Sequence, residues 1–120
     1  MNDDDIFDAV TTSAYGLSMG AIWQHIAMEC RSNPRTYDQR QALFFTLLER
    51  LISTGQIRLA SKGDYLQGEP KHQVDQLRNA FPPDVSTDEC DDVDEFGLWF
   101  LAKAPAGVVW ITPEGQEIWT

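Results

Sequence analysis

Positive charge is scarce in this chain: 9 Lys and Arg stand against 19 Asp and Glu, giving a formal net charge of −10 and a sequence pI near 4.3. A surface of that sign repels nucleic-acid phosphates and anionic lipid, so neither nucleic acid nor membrane is an expected partner. Cysteine is equally sparse. The 2 cysteines, Cys30 and Cys90, are far apart and fit no CxxC or His/Cys zinc spacing, so they read as reduced thiols of a cytoplasmic protein. The 8 glycines form no GxGxxG or Walker pattern, and no GxSxG is present, which excludes the common phosphate cradles and the serine-hydrolase elbow. No apolar run approaches the ~18 residues of a membrane span. The opening MNDDDIFDAV has neither a basic n-region nor an apolar h-region, so no signal peptide is expected.

Histidine is also rare, with 2 in the chain. His25 and Glu29 are spaced to form a charge pair on a helix. His25 and Cys30, five residues apart, would point about 140° from each other around a helix axis and make no nucleophile–base set. His72, between Lys71 and Gln73, reads as a surface histidine.

What the chain does have is a concentrated acidic run. Residues 84–95, DVSTDECDDVDE, carry seven carboxylates and no base. Charge is polarised along the whole chain: residues 1–30 sum to −5, residues 31–78 to +3 and residues 79–120 to −8. Calcium binding by the run fails on spacing. Counted from Asp88, position six of an EF-hand loop would be Val93 instead of glycine; counted from Asp92, Gly97 fits but position twelve is Lys103 instead of glutamate. No metal and no cofactor are therefore expected. Carboxylates on such a segment, with Phe96 and Trp99 beside them as aromatic anchors, suit recognition of a basic protein, where charge steers the encounter and desolvated aromatics supply affinity.

At 120 residues with 42% hydrophobic content, the chain suits one domain over residues 1–120. Residues 3–14 read as a short helix with Asp3, Asp4 and Asp5 at its positive end and Ile6, Ala9 and Val10 on one face. Ser18 is placed to cap a second helix over 19–31, whose Met19, Ile22, Trp23, Ile26 and Cys30 form a core stripe. A third helix over 38–53 presents Ala42, Leu43, Phe44, Leu47, Leu48, Leu51 and Ile52, with Gly55 suited to its C-terminal cap. Residues 56–60 alternate as a half-buried strand, and 62–64 read as a turn. Glu69-Pro70 opens a fourth helix with Val74, Leu77 and Phe81 on one face. Residues 96–102 and 108–112 read as strands, and 116–119 as a further one after the Pro113-Glu114-Gly115 turn.

The expected fold is therefore α+β, a four-helix cluster packed on a small antiparallel sheet in a loosely winged-helix-like order. The would-be wing, TPEGQEIW, carries Glu114 and Glu117, so DNA binding would be electrostatically opposed.

Three stretches, YGLSMGAIWQHI (15–26), ALFFTLLERLISTGQIRL (42–59) and FGLWFLAKAPAGVVWITPEGQEIW (96–119), carry a likeness to a known family. In them the chain resembles the small bacterial family called domain of unknown function 596. That resemblance implies a cytoplasmic bacterial protein similar to immunity proteins of contact-dependent or polymorphic toxin systems. The expected function is then to bind and neutralise a secreted toxin, a nuclease by the acidic character of its inhibitor, through its basic active-site surface. Asp88, Glu89, Asp91, Asp92, Asp94, Glu95 and Trp99 are the candidate partner-binding residues. The alternative is a winged-helix-like regulatory module that binds protein without binding DNA. With no recognisable nucleophile, metal set or cofactor loop, the chain reads as a binding protein and not an enzyme.

Overall fold

The computed structural model describes residues 3–30, 36–80 and 106–120. The expected strand over 96–102 and the acidic run 84–95 lie outside the described residues.

Helix formation follows the local signals. Helix α1 (Asp3–Ser13) has its three aspartates in the first turn, where they complement the helix dipole, and buries Ile6, Phe7 and Val10. Gly16, at φ 79°, turns the chain. Ser18 then caps α2 (Met19–Glu29) by accepting a hydrogen bond from the Ala21 amide at 3.3 Å. Helix α3 (Tyr37–Ser53) opens on a reciprocal box, in which Thr36 Oγ1 accepts from the Gln39 amide at 3.1 Å and Gln39 Oε1 accepts from the Thr36 amide at 2.9 Å. It closes on a Schellman motif. The Gly55 amide donates to the Ile52 carbonyl at 3.1 Å and the Gln56 amide to the Leu51 carbonyl at 2.9 Å, a geometry that Gly55 permits with φ 78°.

Every member of the expected α2 stripe is buried. On α3 the face is displaced: Ala42 is exposed, whereas Phe45, outside the expected stripe, is 1% exposed. The cause is that α3 packs between α2, α4 (Pro70–Ala80) and β1 (Ile57–Ser61), so it needs apolar side chains around more of its circumference than one stripe supplies. Trp23 meets Phe44 edge to face at 5.5 Å, and Arg78 of α4 lies 5.2 Å from the centre of the Phe45 ring.

The sheet adds β2 (Asp64–Tyr65), β3 (Gly107–Ile111) and β4 (Glu117–Trp119) to β1, in the order β2-β1-β3-β4 with every pair antiparallel. The architecture is an α+β fold of four helices and a four-stranded sheet. Strand β2 occupies part of what reads as a turn in the sequence. Lys62 and Gly63, with φ 54° and 85°, make a two-residue hairpin between Ser61 and Asp64.

Register separates the sheet into two faces. Ile57 pairs with Trp110, Leu59 with Val108, and Trp110 with Ile118, so these side chains share the face packed on the helices. Trp110 is fully buried there, and its indole N–H donates to the Leu17 carbonyl at 2.8 Å, tying the sheet to the α1–α2 connection. Arg58, Val109 and Trp119 lie on the opposite face, with Ala60 and Tyr65.

Candidate functional site

The outer face brings residues of its two outermost described strands together. Tyr65 on β2 and Trp119 on β4 sit on the two outermost described strands, about 14 Å apart were the sheet flat. Their ring centres are nevertheless 5.4 Å apart at an interplanar angle of 27°. On the same face Val109 is 1% and Ala60 8% exposed, where alternation alone would have left them wet. The Arg58 guanidinium lies 3.7 Å from the centre of the Tyr65 ring, within cation–π reach.

Beside this stack runs a groove of about 490 Å³, lined among others by Ile57, Arg58, Tyr65, Gln73, Ile111 and Glu117. Local structure delivers each wall. The Schellman turn at Gly55 feeds α3 into β1 so that Arg58 points outward. The Lys62-Gly63 hairpin returns the chain as β2 and sets Tyr65 opposite Ala60. Gly68 then adopts φ 102°, and Pro70 opens α4 in the first-turn position where its missing amide hydrogen costs least. Gln73 is held inward because its Nε2 donates to the Gly68 carbonyl at 2.8 Å. The fourth wall is the β3–β4 hairpin, whose turn is fixed by the Gln116 amide donating to Thr112 Oγ1 at 3.0 Å and the Thr112 amide donating to the Gln116 carbonyl at 2.9 Å.

The polar chemistry of this groove is unspent. The Tyr65 hydroxyl is shielded from solvent yet has no hydrogen-bond partner among the described residues. Gln73 is the buried polar residue among the described residues, 9% exposed, and its amide nitrogen is committed while its carbonyl oxygen still offers an acceptor. Arg58 and Glu117 are exposed, and neither makes an ion pair among the described residues.

The seven residues expected to bind a partner, Asp88, Glu89, Asp91, Asp92, Asp94, Glu95 and Trp99, all lie outside the described residues. Elsewhere, Asp3, Asp4, Asp5 and Asp8 are exposed on α1, and Arg50 of α3 bonds Asp4 at 2.8 Å with both side chains largely in solvent. His25 and Glu29 form no ion pair among the described residues, which corrects the expected pairing. Helical spacing permits such a contact, but both residues are only half-buried, and a solvent-accessible helix pair gains only about 0.3–0.5 kcal/mol, too little to fix two flexible side chains. Cys30 is buried at the end of α2. Among the described residues no group of three or more His, Cys, Asp or Glu could hold a metal, and no helix is long and apolar enough to cross a membrane.

Of the groove residues, Arg58 was legible as an outward position of an alternating strand. Tyr65 and Gln73 were not singled out. The signal for Tyr65 was the Lys62-Gly63 pair, which implies a return strand, whereas Gln73 looks like any polar residue at a helix start.

Fold and surface together define an acidic α+β protein with a mixed polar and apolar groove at one end of its sheet. Residues 52–120 match the family described as protein of unknown function, DUF596; with more than half of its 120 residues matched, the chain belongs to that family. Every groove residue named above falls within the match. Among solved structures, an uncharacterized protein conserved in bacteria, from Neisseria meningitidis, is similar to this chain with a TM-score of 0.78 and 25% identity, over 98% of this chain and 88% of that one. No curated protein matches.

Proposed function

We propose that this chain is an immunity protein: a cytoplasmic bacterial binding protein that neutralises a cognate secreted toxin, of nuclease type, by masking its basic active-site surface. The observation that carries this reading is the charge imbalance of −10. Arginine placement deepens it, since Arg40, Arg50, Arg58 and Arg78 each lie over one of the protein's own rings, those of Trp23, Phe7, Tyr65 and Phe45. These contacts engage four of the 9 cations with the protein's own rings, while the 19 carboxylates set the sign of the surface. In this reading Asp88, Glu89, Asp91, Asp92, Asp94 and Glu95 oppose basic residues of the toxin, and Trp99 supplies a desolvated anchor.

The reading is tested by co-producing the protein with the C-terminal fragment of a large secreted protein encoded immediately upstream of it. Protection of growth, with a stable complex on purification, is the expected result. A toxic fragment whose effect is unchanged by the protein, and which does not co-purify with it, would refute the assignment.

A further inference from the structure

The outer face of the sheet shows which charge its aromatic side chains accept. Tyr65 and Trp119 stack with ring centres 5.4 Å apart, and the chain's own Arg58 lays its guanidinium 3.7 Å from the centre of the Tyr65 ring. A cation over an aromatic face is held by the ring quadrupole, and guanidinium suits such a face better than ammonium because it is planar, stacks, and is less strongly hydrated. Trp119 offers the same chemistry on a side chain that is 50% exposed.

Register puts a carboxylate beside that indole. Trp119 pairs with Val109 and Glu117 with Ile111, so Glu117 and Trp119 share the outer face of β4, about 7 Å apart along the strand. Glu117 is exposed and makes no ion pair among the described residues. A guanidinium between the two would lie on the indole and donate to the carboxylate through its fork of N–H groups, a pairing that an ammonium cannot reproduce. Ile111, half-buried opposite Glu117 on the wall of the groove, gives the aliphatic stem of such a side chain apolar surface to lie on. Charge complementarity selects the same occupant. Residues 106–120 contain Glu114 and Glu117 and no Lys or Arg, and residues 79–120 sum to −8. Arg58 stands two strands from Trp119, across Val109, and is engaged by the Tyr65 ring.

We infer that Glu117 and Trp119 form a receptor for an arginine side chain on the surface of a basic protein partner, with the indole taking the guanidinium face and the carboxylate its N–H donors. The inference rests on the reading of the chain as a binder of a basic protein. It adds an aromatic anchor on the β3–β4 hairpin, separate from Asp88, Glu89, Asp91, Asp92, Asp94 and Glu95, and it makes the contact selective for arginine where net charge alone would accept any cation.

The test titrates the full chain at low salt with hexa-arginine and with hexa-lysine, peptides of equal charge. Affinities are measured on the wild type, on Glu117→Gln, on Trp119→Leu and on a variant with Asp88, Glu89, Asp91, Asp92, Asp94 and Glu95 changed to Asn or Gln. Indole N–H signals are followed by NMR, that of Trp119 being identified by its loss in Trp119→Leu. The wild type should bind hexa-arginine about threefold more tightly than hexa-lysine, and the Trp119 signal should shift with hexa-arginine. Glu117→Gln and Trp119→Leu should each remove most of that preference, whereas the six-acid variant should weaken both peptides alike and keep it. Equal affinities of the wild type for the two peptides, an unmoved Trp119 signal, or a preference that survives both single substitutions would overturn the inference. Each of these failures leaves the toxin-binding reading standing, because growth protection tests that reading separately.

Discussion

Replacing Tyr65 by Phe should make the free protein more stable. The hydroxyl is shielded from water and has no partner among the described residues, so folding strips its hydration without return. Leaving such a group unsatisfied costs about 1–3 kcal/mol. The lower end applies here because the residue as a whole is only half-buried and relaxation can bring water near. Phe retains the ring that stacks on Trp119 and lies under Arg58, so those contacts survive. The expected gain is about 1 kcal/mol. For a chain of 120 residues the unfolding entropy is about 0.25 kcal/mol/K, so the thermal midpoint should rise by about 4 °C. Urea unfolding and calorimetry both read this change, with Tyr15→Phe as a control: Tyr15 is 44% exposed, and its variant should lie within about 0.5 kcal/mol of wild type. A Tyr65→Phe protein destabilised by about 1 kcal/mol or more would refute this, because it would mean that the hydroxyl is satisfied in the free protein.

Lys62 has φ 54°, a conformation in which Asn is tolerated far better, so Lys62→Asn should stabilise the β1–β2 hairpin by about 0.5 kcal/mol in urea unfolding. Thr36→Ala removes one half of the reciprocal box at the start of α3 and should cost about 1 kcal/mol by the same measurement. Trp110→Phe deletes the hydrogen bond to the Leu17 carbonyl and leaves a void at a fully buried position. It should cost about 2–3 kcal/mol, read as a lower unfolding midpoint with an unchanged denaturant slope.

Much of this fold was readable from residue spacing because its strongest elements combine period with punctuation. Helix α2 announces itself through Ser18 and the run Met19, Ile22, Trp23, Ile26, all buried as expected. The end of α3 was equally plain, since Gly55 follows the last apolar turn and takes the left-handed conformation that a Schellman motif requires. What escaped reading depends on tertiary partners. Phe45 is buried beside α4, and Ala42 is exposed, distinctions that helical period cannot make. The Thr36-x-x-Gln39 capping signature sets the start of α3 at Tyr37, one residue before the Asp38 that apolar period alone implies. The groove is the least legible feature. Its named residues come from β1, β2, α4, β3 and β4, and its defining property, a phenol without a partner among the described residues, exists only once the chain has folded.

The central claim is that excess negative charge recruits a basic toxin, and the association rate measures this most directly. Stopped-flow mixing of the protein with the toxic fragment encoded upstream, across a range of ionic strength, should show rapid association that slows steeply as salt rises. Changing Asp88, Glu89, Asp91, Asp92, Asp94 and Glu95 to Asn or Gln should lower the low-salt rate by about tenfold or more and flatten its salt dependence, with a smaller change in dissociation. An association rate that is insensitive to salt, and equal in the wild type and the six-acid variant, would contradict the claim.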